Sequence, residues 1–343
     1  MGIWKWILGL GVAGAVTEYG IARYFFNRTV LRNNAKRERT TKMAGTNWDD
    51  YIPNIRACRE WLEARECEDV SVVSRDGLKL AGSYYPAEET VKGESANGTG
   101  DNTGAGRTGG DRHSTAVSRT VLCFHGYTSE GRNDFPCIAK FYLEQGYNVL
   151  LVDERAHGRS EGIYIGFGCL DRYDVLTWLE YLLERFGAEQ EFILHGMSMG
   201  GATVLMSSGL SLPPQVKGIV SDCGFTSAWD VFTSVLHNMY HMPAFPIMQI
   251  SDGMAREKAG YGLAECNAVE EVRKAAVPIL FIHGAADTFV PSRMCRELYD
   301  ACGSRKKILI IEGAAHAEAY HKDTEAYEGA LKEFLRELEN KED

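Results

Sequence analysis

Gly196-Met197-Ser198-Met199-Gly200 follows the apolar run Glu191–His195 and opens a helical stretch beginning at Met199. A serine on a sharp strand-to-helix turn presents its hydroxyl at the C-terminal end of the strand, and glycines two residues to either side leave room for the crowded backbone. The helix that starts beside it offers unpaired N–H groups and the positive end of its dipole. A serine hydroxyl is a weak nucleophile and needs a base. The base is expected late in the chain, and the last strand-like run, Lys307–Ile311, leads through Glu312-Gly313-Ala314-Ala315 to His316. Small residues there suit a loop that lets an imidazole reach Ser198.

An acid must then orient that imidazole and steady its cation. Asp287 sits on the loop after the strand-like run Pro278–His283, and the order Ser198…Asp287…His316 is one in which such triads occur. Asp222, at the end of the run Val216–Asp222, is the rival; its position before Cys223-Gly224 suits a structural role. Acyl chemistry also needs two donors for an oxyanion. The Met199 amide is one. The Tyr127 amide, in His125-Gly126-Tyr127-Thr128-Ser129, is the expected second, with Gly126 permitting the turn and the Tyr127 ring available to line an acyl pocket. His125 is expected to be structural.

Positioning these groups requires a particular scaffold. Strand-like runs fall at Val70–Arg75, Leu78–Tyr85, Thr120–His125, Asn148–Asp153, Glu191–His195, Val216–Asp222, Pro278–His283 and Lys307–Ile311. The last six are short and apolar on both faces, as buried parallel strands are. The first two are joined by Asp76-Gly77, a hairpin signal. Helical stretches lie at Phe135–Gln145, Asp171–Phe186, Met199–Gly209, Pro291–Ala301 and Ala319–Glu339. The alternation predicts an α/β fold, a mostly parallel sheet of about eight strands with helices on both faces. Residues 224–275 interrupt it with stretches at Ala228–Met242, Phe245–Lys258 and Val269–Ala275, read as a small helical cap.

These motifs resemble the α/β-hydrolase superfamily, and within it the bacterial short-cap group of serine aminopeptidase-like (S33-type) hydrolases and esterases. The resemblance covers about residues 70–338. It rests on His125-Gly126-Tyr127-Thr128, Asp153-Glu154-Arg155-Ala156-His157-Gly158-Arg159-Ser160-Glu161-Gly162, the Ser198 turn, His283-Gly284-Ala285-Ala286-Asp287-Thr288-Phe289-Val290-Pro291 and His316. It implies Ser198 as nucleophile, Asp287 as acid, His316 as base, and Tyr127 with Met199 as oxyanion donors. It also implies structural roles for Asp153 and Arg155. Ala156 stands where the family usually has glycine, which is expected to matter little. Serine at position 198 argues against the dehalogenase and epoxide-hydrolase branches, which carry Asp there.

The expected activity is therefore hydrolysis of an ester-type acyl bond by a carboxylesterase or small lipase. Peptidase, amidase or thioesterase chemistry is the alternative for the same triad, and a membrane-tethered binding protein without turnover is a third reading. Phe232, Met239, Tyr240, Met242, Phe245, Met248 and Met254 in the cap suggest a small-molecule substrate with an apolar acyl or alkyl group. No organic cofactor is implied. No metal is expected either: His237 and His241 are four residues apart, but the glutamate of HExxH and a third ligand are missing.

The whole chain of 343 residues carries a net charge of −10, which argues against a nucleic-acid partner. Residues 1–42 hold eight basic and two acidic side chains, a net +6, leaving −16 on residues 43–343. The apolar run 6–26, with Trp4 and Trp6 at its start and Tyr24 to Phe26 at its end, reads as a membrane anchor, with the basic flank and the catalytic domain (43–343) cytoplasmic. A cleaved signal peptide ending near Ala13-Gly14-Ala15 and an amphipathic helix lying on the membrane are the alternatives. Nine cysteines without a CxxC spacing suit buried thiols in a reducing compartment. Residues 88–118, rich in Gly, Ser and Thr, read as a disordered loop insertion.

Overall fold

The computed structural model describes residues 3–32, 46–88 and 118–340, with backbone alone for 3–15. The expected loop insertion therefore falls almost wholly outside the described residues.

Eight strands form one sheet: β1 (Glu68–Val73), β2 (Lys79–Tyr85), β3 (Ser118–Phe124), β4 (Asn148–Asp153), β5 (Gln190–Met197), β6 (Val216–Asp222), β7 (Ile279–Gly284) and β8 (Lys306–Ile311). Their order is β1-β2-β4-β3-β5-β6-β7-β8. β2 pairs antiparallel with both β1 and β4, and every later pairing is parallel. The hairpin at Asp76-Gly77 turns on Gly77, whose φ of 88° suits glycine.

Helices cover both faces: α1 (Ile3–Thr29), α2 (Ile52–Glu63), α3 (Gly131–Asp134), α4 (Pro136–Glu144), α5 (Asp171–Phe186), α6 (Met199–Ser207), α7 (Ala228–Tyr240), α8 (Ile247–Lys258), α9 (Ala268–Val272), α10 (Ser292–Ala301), α11 (Ala319–Lys322) and α12 (Thr324–Glu339). Alternation along the central strands divides the core in two. Leu122, Phe124, Leu150 and Val152 point to the face that carries α5, α6 and the helices between β6 and β7. Val121, Cys123, Val149 and Leu151 point to the face covered by α2, α4 and α12.

Three differences from the sequence expectations stand out. The stretch Ala319–Glu339 is two helices, because Asp323 accepts a hydrogen bond from the Ala326 amide at 2.9 Å and caps α12. The short helices α2 and α3 have no counterpart among the expected stretches. Most importantly, the run 6–26 does not stand wholly apart from the rest of the chain. Its C-terminal part belongs to the domain's own core: Ala22, Phe25, Phe26 and Val30 are buried among residues of α7 and α8. The Ser251 hydroxyl of α8 donates to the Ala22 carbonyl at 3.3 Å, and the Phe25 and Phe232 rings meet edge to face at 5.6 Å. Among the described residues, no helix is long and apolar enough to cross a membrane. Residues 16–20 are all exposed, so within the residues whose side chains are described α1 docks only from Ile21 onward.

Candidate active site

β5 delivers Ser198 into a left-handed turn with φ 55° and ψ −110° before α6 starts. An L-residue sits there at a cost of about 1–3 kcal/mol, so the surroundings must impose it. They do. The Ser198 amide donates to the Asp222 carbonyl at 2.8 Å, and the Gly200 amide donates to the His125 carbonyl at 3.0 Å. The flanking glycines are sterically required: a Cβ on Gly196 would lie 2.0 Å from the Gly200 oxygen, and one on Gly200 would lie 1.9 Å from the Phe124 oxygen.

His316 follows β8, with its Nε2 2.8 Å from Ser198 Oγ and its Nδ1 2.7 Å from Asp287 Oδ2. The other carboxylate oxygen, Oδ1, accepts from the Phe289 and Val290 amides at 2.9 and 2.8 Å. Burial would raise the Asp287 carboxyl, but attraction to His316 and hydrogen bonds from His283 and His316 outweigh it and hold the group well below the usual carboxylate range. The structure thus brings Ser198, His316 and Asp287 into one continuous relay, and all three are nearly buried.

Asp222 lies elsewhere in the network. Its Oδ2 accepts from the Tyr327 hydroxyl at 3.0 Å, and burial lifts its carboxyl to about 6. His195 bridges Tyr327 and Tyr142 at 3.2 and 2.9 Å, and burial lowers its imidazole to about 3, which keeps it neutral.

The loop after β3 is held at both sides of Tyr127. The Gly126 amide donates to Asp134 Oδ2 at 2.8 Å, and the Thr128 amide to His157 Nε2 at 3.1 Å. His125 is locked within the loop, its Nδ1 2.7 Å from the Gly126 oxygen and its Nε2 accepting from the Glu154 amide at 2.9 Å. Met199 is the first residue of α6, so its N–H has no partner within the helix. The Tyr127 hydroxyl donates to the Arg28 carbonyl of α1 at 2.8 Å. From its ring a row of aromatic contacts runs through Phe167 (5.5 Å) and Phe232 (4.8 Å from Phe167) to Phe25 of α1.

Arg155 grips Asp174 with two hydrogen bonds of 2.7 Å and Asp76 with two of 2.9 and 3.1 Å, and Asp153 Oδ2 accepts from Arg159 Nε at 2.9 Å. Ala156 takes a φ of 60°, which is why glycine suits that position. The Met/aromatic run between β6 and β7 divides: Phe232, Met248 and Met254 are core, whereas Met239, Tyr240 and Phe245 are exposed.

Sequence reasoning overlooked Glu318. It is buried, accepts from the Ala315 amide at 2.7 Å and from the Tyr51 hydroxyl at 2.7 Å, and so ties the His316 loop to the segment before α2. Burial, with Glu318 beside it, pushes the Tyr51 phenol up to about 12. The signal was present two residues beyond His316, in His316-Ala317-Glu318.

A family model described as alpha/beta hydrolase fold matches residues 119–247, and one described as serine hydrolase (FSH1) matches residues 195–317. The esterase Pf2001 of Pyrococcus furiosus superposes with a TM-score of 0.61 over 90% of this chain and 98% of that one, at 19% identity. The chain has the α/β-hydrolase fold, and both family matches are to α/β hydrolases. Est1E of Butyrivibrio proteoclasticus, solved with ferulic acid bound, has a TM-score of 0.58 at 16% identity, over 79% of this chain and 100% of that one. In sequence, the uncharacterized protein YqkD of Bacillus subtilis is 28% identical over 63% of this chain and 70% of its own length. Protein bem46 of Schizosaccharomyces pombe is 26% identical over 64% of this chain and 67% of its own.

Proposed function

We propose that this α/β hydrolase is a serine carboxylic-ester hydrolase working through an acyl-enzyme. The observation that carries the reading is the unbroken relay from Ser198 Oγ to His316 Nε2 at 2.8 Å and from His316 Nδ1 to Asp287 Oδ2 at 2.7 Å. His316 takes the Ser198 proton as Oγ attacks the carbonyl carbon, and the oxyanion rests on the Tyr127 and Met199 amides. The imidazolium, steadied by Asp287, then protonates the leaving alcohol. Water repeats the sequence, restoring Ser198 and releasing the acid. The esterases among the structural neighbours support an ester, and the acylaminoacyl peptidases that share the fold make the amide the second reading. The Met/aromatic stretch between β6 and β7, with Met239, Tyr240 and Phe245 exposed, supports an apolar acyl or alkyl group. Ser198→Ala is expected to abolish p-nitrophenyl acetate hydrolysis with the melting temperature preserved, and turnover retained in that variant would end the proposal. Matched ester, thioester and aminoacyl amide substrates then test the class through kcat/KM; a higher value on the amide would move the assignment to a peptidase of the S33 type.

We further infer that the chain works at a membrane surface, from the cytoplasmic side, with α1 lying on the bilayer rather than crossing it. Support comes from the apolar sequence of α1 ahead of its docked part and from the basic residues between Arg28 and Lys42, which suit anionic headgroups. Exposed Tyr24, Tyr240 and Phe245 add apolar area, and nine free thiols suit a reducing compartment. Sedimentation of the full chain with phosphatidylglycerol vesicles tests the surface reading, and recovery wholly in the supernatant would refute it.

A further inference from the structure

Asp287 faces two imidazoles. His316 Nδ1 lies 2.7 Å from Oδ2, and His283 Nε2 lies 3.3 Å from the same oxygen. His283 is the penultimate residue of β7 and is fully buried, and its Nε2 also lies 2.8 Å from the Val290 carbonyl. Two acceptors on one ring nitrogen mean that this nitrogen carries a hydrogen. The His283 ring therefore spans the loop Gly284–Val290 from inside, joining its start to its end, while the Val290 amide donates to the opposite oxygen, Oδ1, at 2.8 Å. One short loop holds both faces of the carboxylate.

We propose that His283 is a positioning residue of the triad: its Nε2–H, shared between Val290 O and Asp287 Oδ2, fixes the carboxylate for His316 and takes up part of its negative charge. The groups facing the ring are Asp287 on its own loop, Cys295 of α10 and Asp222 of β6, with His316 on the far side of Asp287. Burial lowers the proton affinity of His283, but the Asp287 carboxylate and the Cys295 side chain beside the ring more than reverse this and lift it to about 10. A positive ring behind Asp287 reduces what that carboxylate offers to the His316 cation. Loss of the ring's charge leaves the carboxylate wholly to His316.

The inference rests on the hydrolase reading, and its test separates the two. Full-length wild type, His283→Gln and His283→Leu are compared on p-nitrophenyl acetate across pH, with fluorophosphonate labelling and melting temperature recorded for each. Glutamine keeps an N–H donor near the Nε2 position but no charge, whereas leucine keeps neither. For His283→Gln, kcat is expected to stay within about fivefold of wild type, and the ascending limb of kcat/KM to move up by roughly 0.5–1 pH unit. For His283→Leu, kcat is expected to fall about 10- to 100-fold with KM within twofold. An ascending limb in His283→Gln that stays in place or moves down overturns the role of His283, even where His283→Leu fails to fold. A wild type that neither turns over nor labels overturns the hydrolase reading instead.

Discussion

Phe26→Ala measures directly whether α1 belongs to the domain. Phe26 is 1% exposed, lies in the core cluster shared with α7 and α8, and has the Tyr164 ring 6.2 Å away. Truncating a fully buried phenylalanine removes its transfer free energy and leaves a cavity, about 3–5 kcal/mol together. At this chain length about 1 kcal/mol corresponds to roughly 2 °C, so the melting temperature is expected to fall by about 6–10 °C. Val16→Ala is the control: that side chain is 66% exposed on the undocked part of the same helix, and its truncation is expected to shift the melting temperature by less than about 1 °C. Differential scanning fluorimetry of the full chain in mild detergent reads both. Equal shifts for the two variants, or none for Phe26→Ala, would refute the docked helix and return residues 6–26 to the status of a separate anchor.

Glu318→Ala removes the acceptor of the Ala315 and Tyr51 hydrogen bonds and is expected to destabilise by about 2–3 kcal/mol and to lower kcat more than it changes KM; urea melts and steady-state kinetics check this. Gly253 in α8 and Gly329 in α12 are exposed, with no atom within 4 Å of where an alanine methyl would sit. The double substitution Gly253→Ala with Gly329→Ala is therefore expected to stabilise by about 1–2 kcal/mol at unchanged activity, read by urea denaturation. Glu154 is buried beside Asp171, and burial foremost raises its carboxyl well above the ordinary value. A raised acid binds its proton more tightly in the folded state, so wild type loses stability as pH rises above about 4.3, and Glu154→Gln is expected to gain relative to wild type between about pH 5 and pH 8. An unchanged difference across that range contradicts the buried proton.

Much of the scaffold was legible because its cues are local. The strands Asn148–Asp153 and Val216–Asp222 and the helix Asp171–Phe186 begin and end where their residue patterns place them. The elbow glycines were legible because no other residue fits beside the Gly200 and Phe124 oxygens. What stayed hidden depends on partners distant in sequence. Hydropathy marks 6–26 as apolar but does not reveal whether lipid or α8 covers Phe26; Ala22, Phe25, Phe26 and Val30 recur at helical spacing, and that one-sided pattern was the available cue. The same limit applied to the Met/aromatic run, where packing against α1 separates buried Phe232 from exposed Phe245. Glu318 and Asp134 act by gripping backbone amides, a role that residue type alone does not declare.

The most direct measurement of the account is fluorophosphonate labelling of the full chain followed by peptide mapping. A single adduct on Ser198 is expected, absent in Ser198→Ala and slowed at least a hundredfold in His316→Ala. No adduct on the wild-type protein, or one on a different serine, would contradict it.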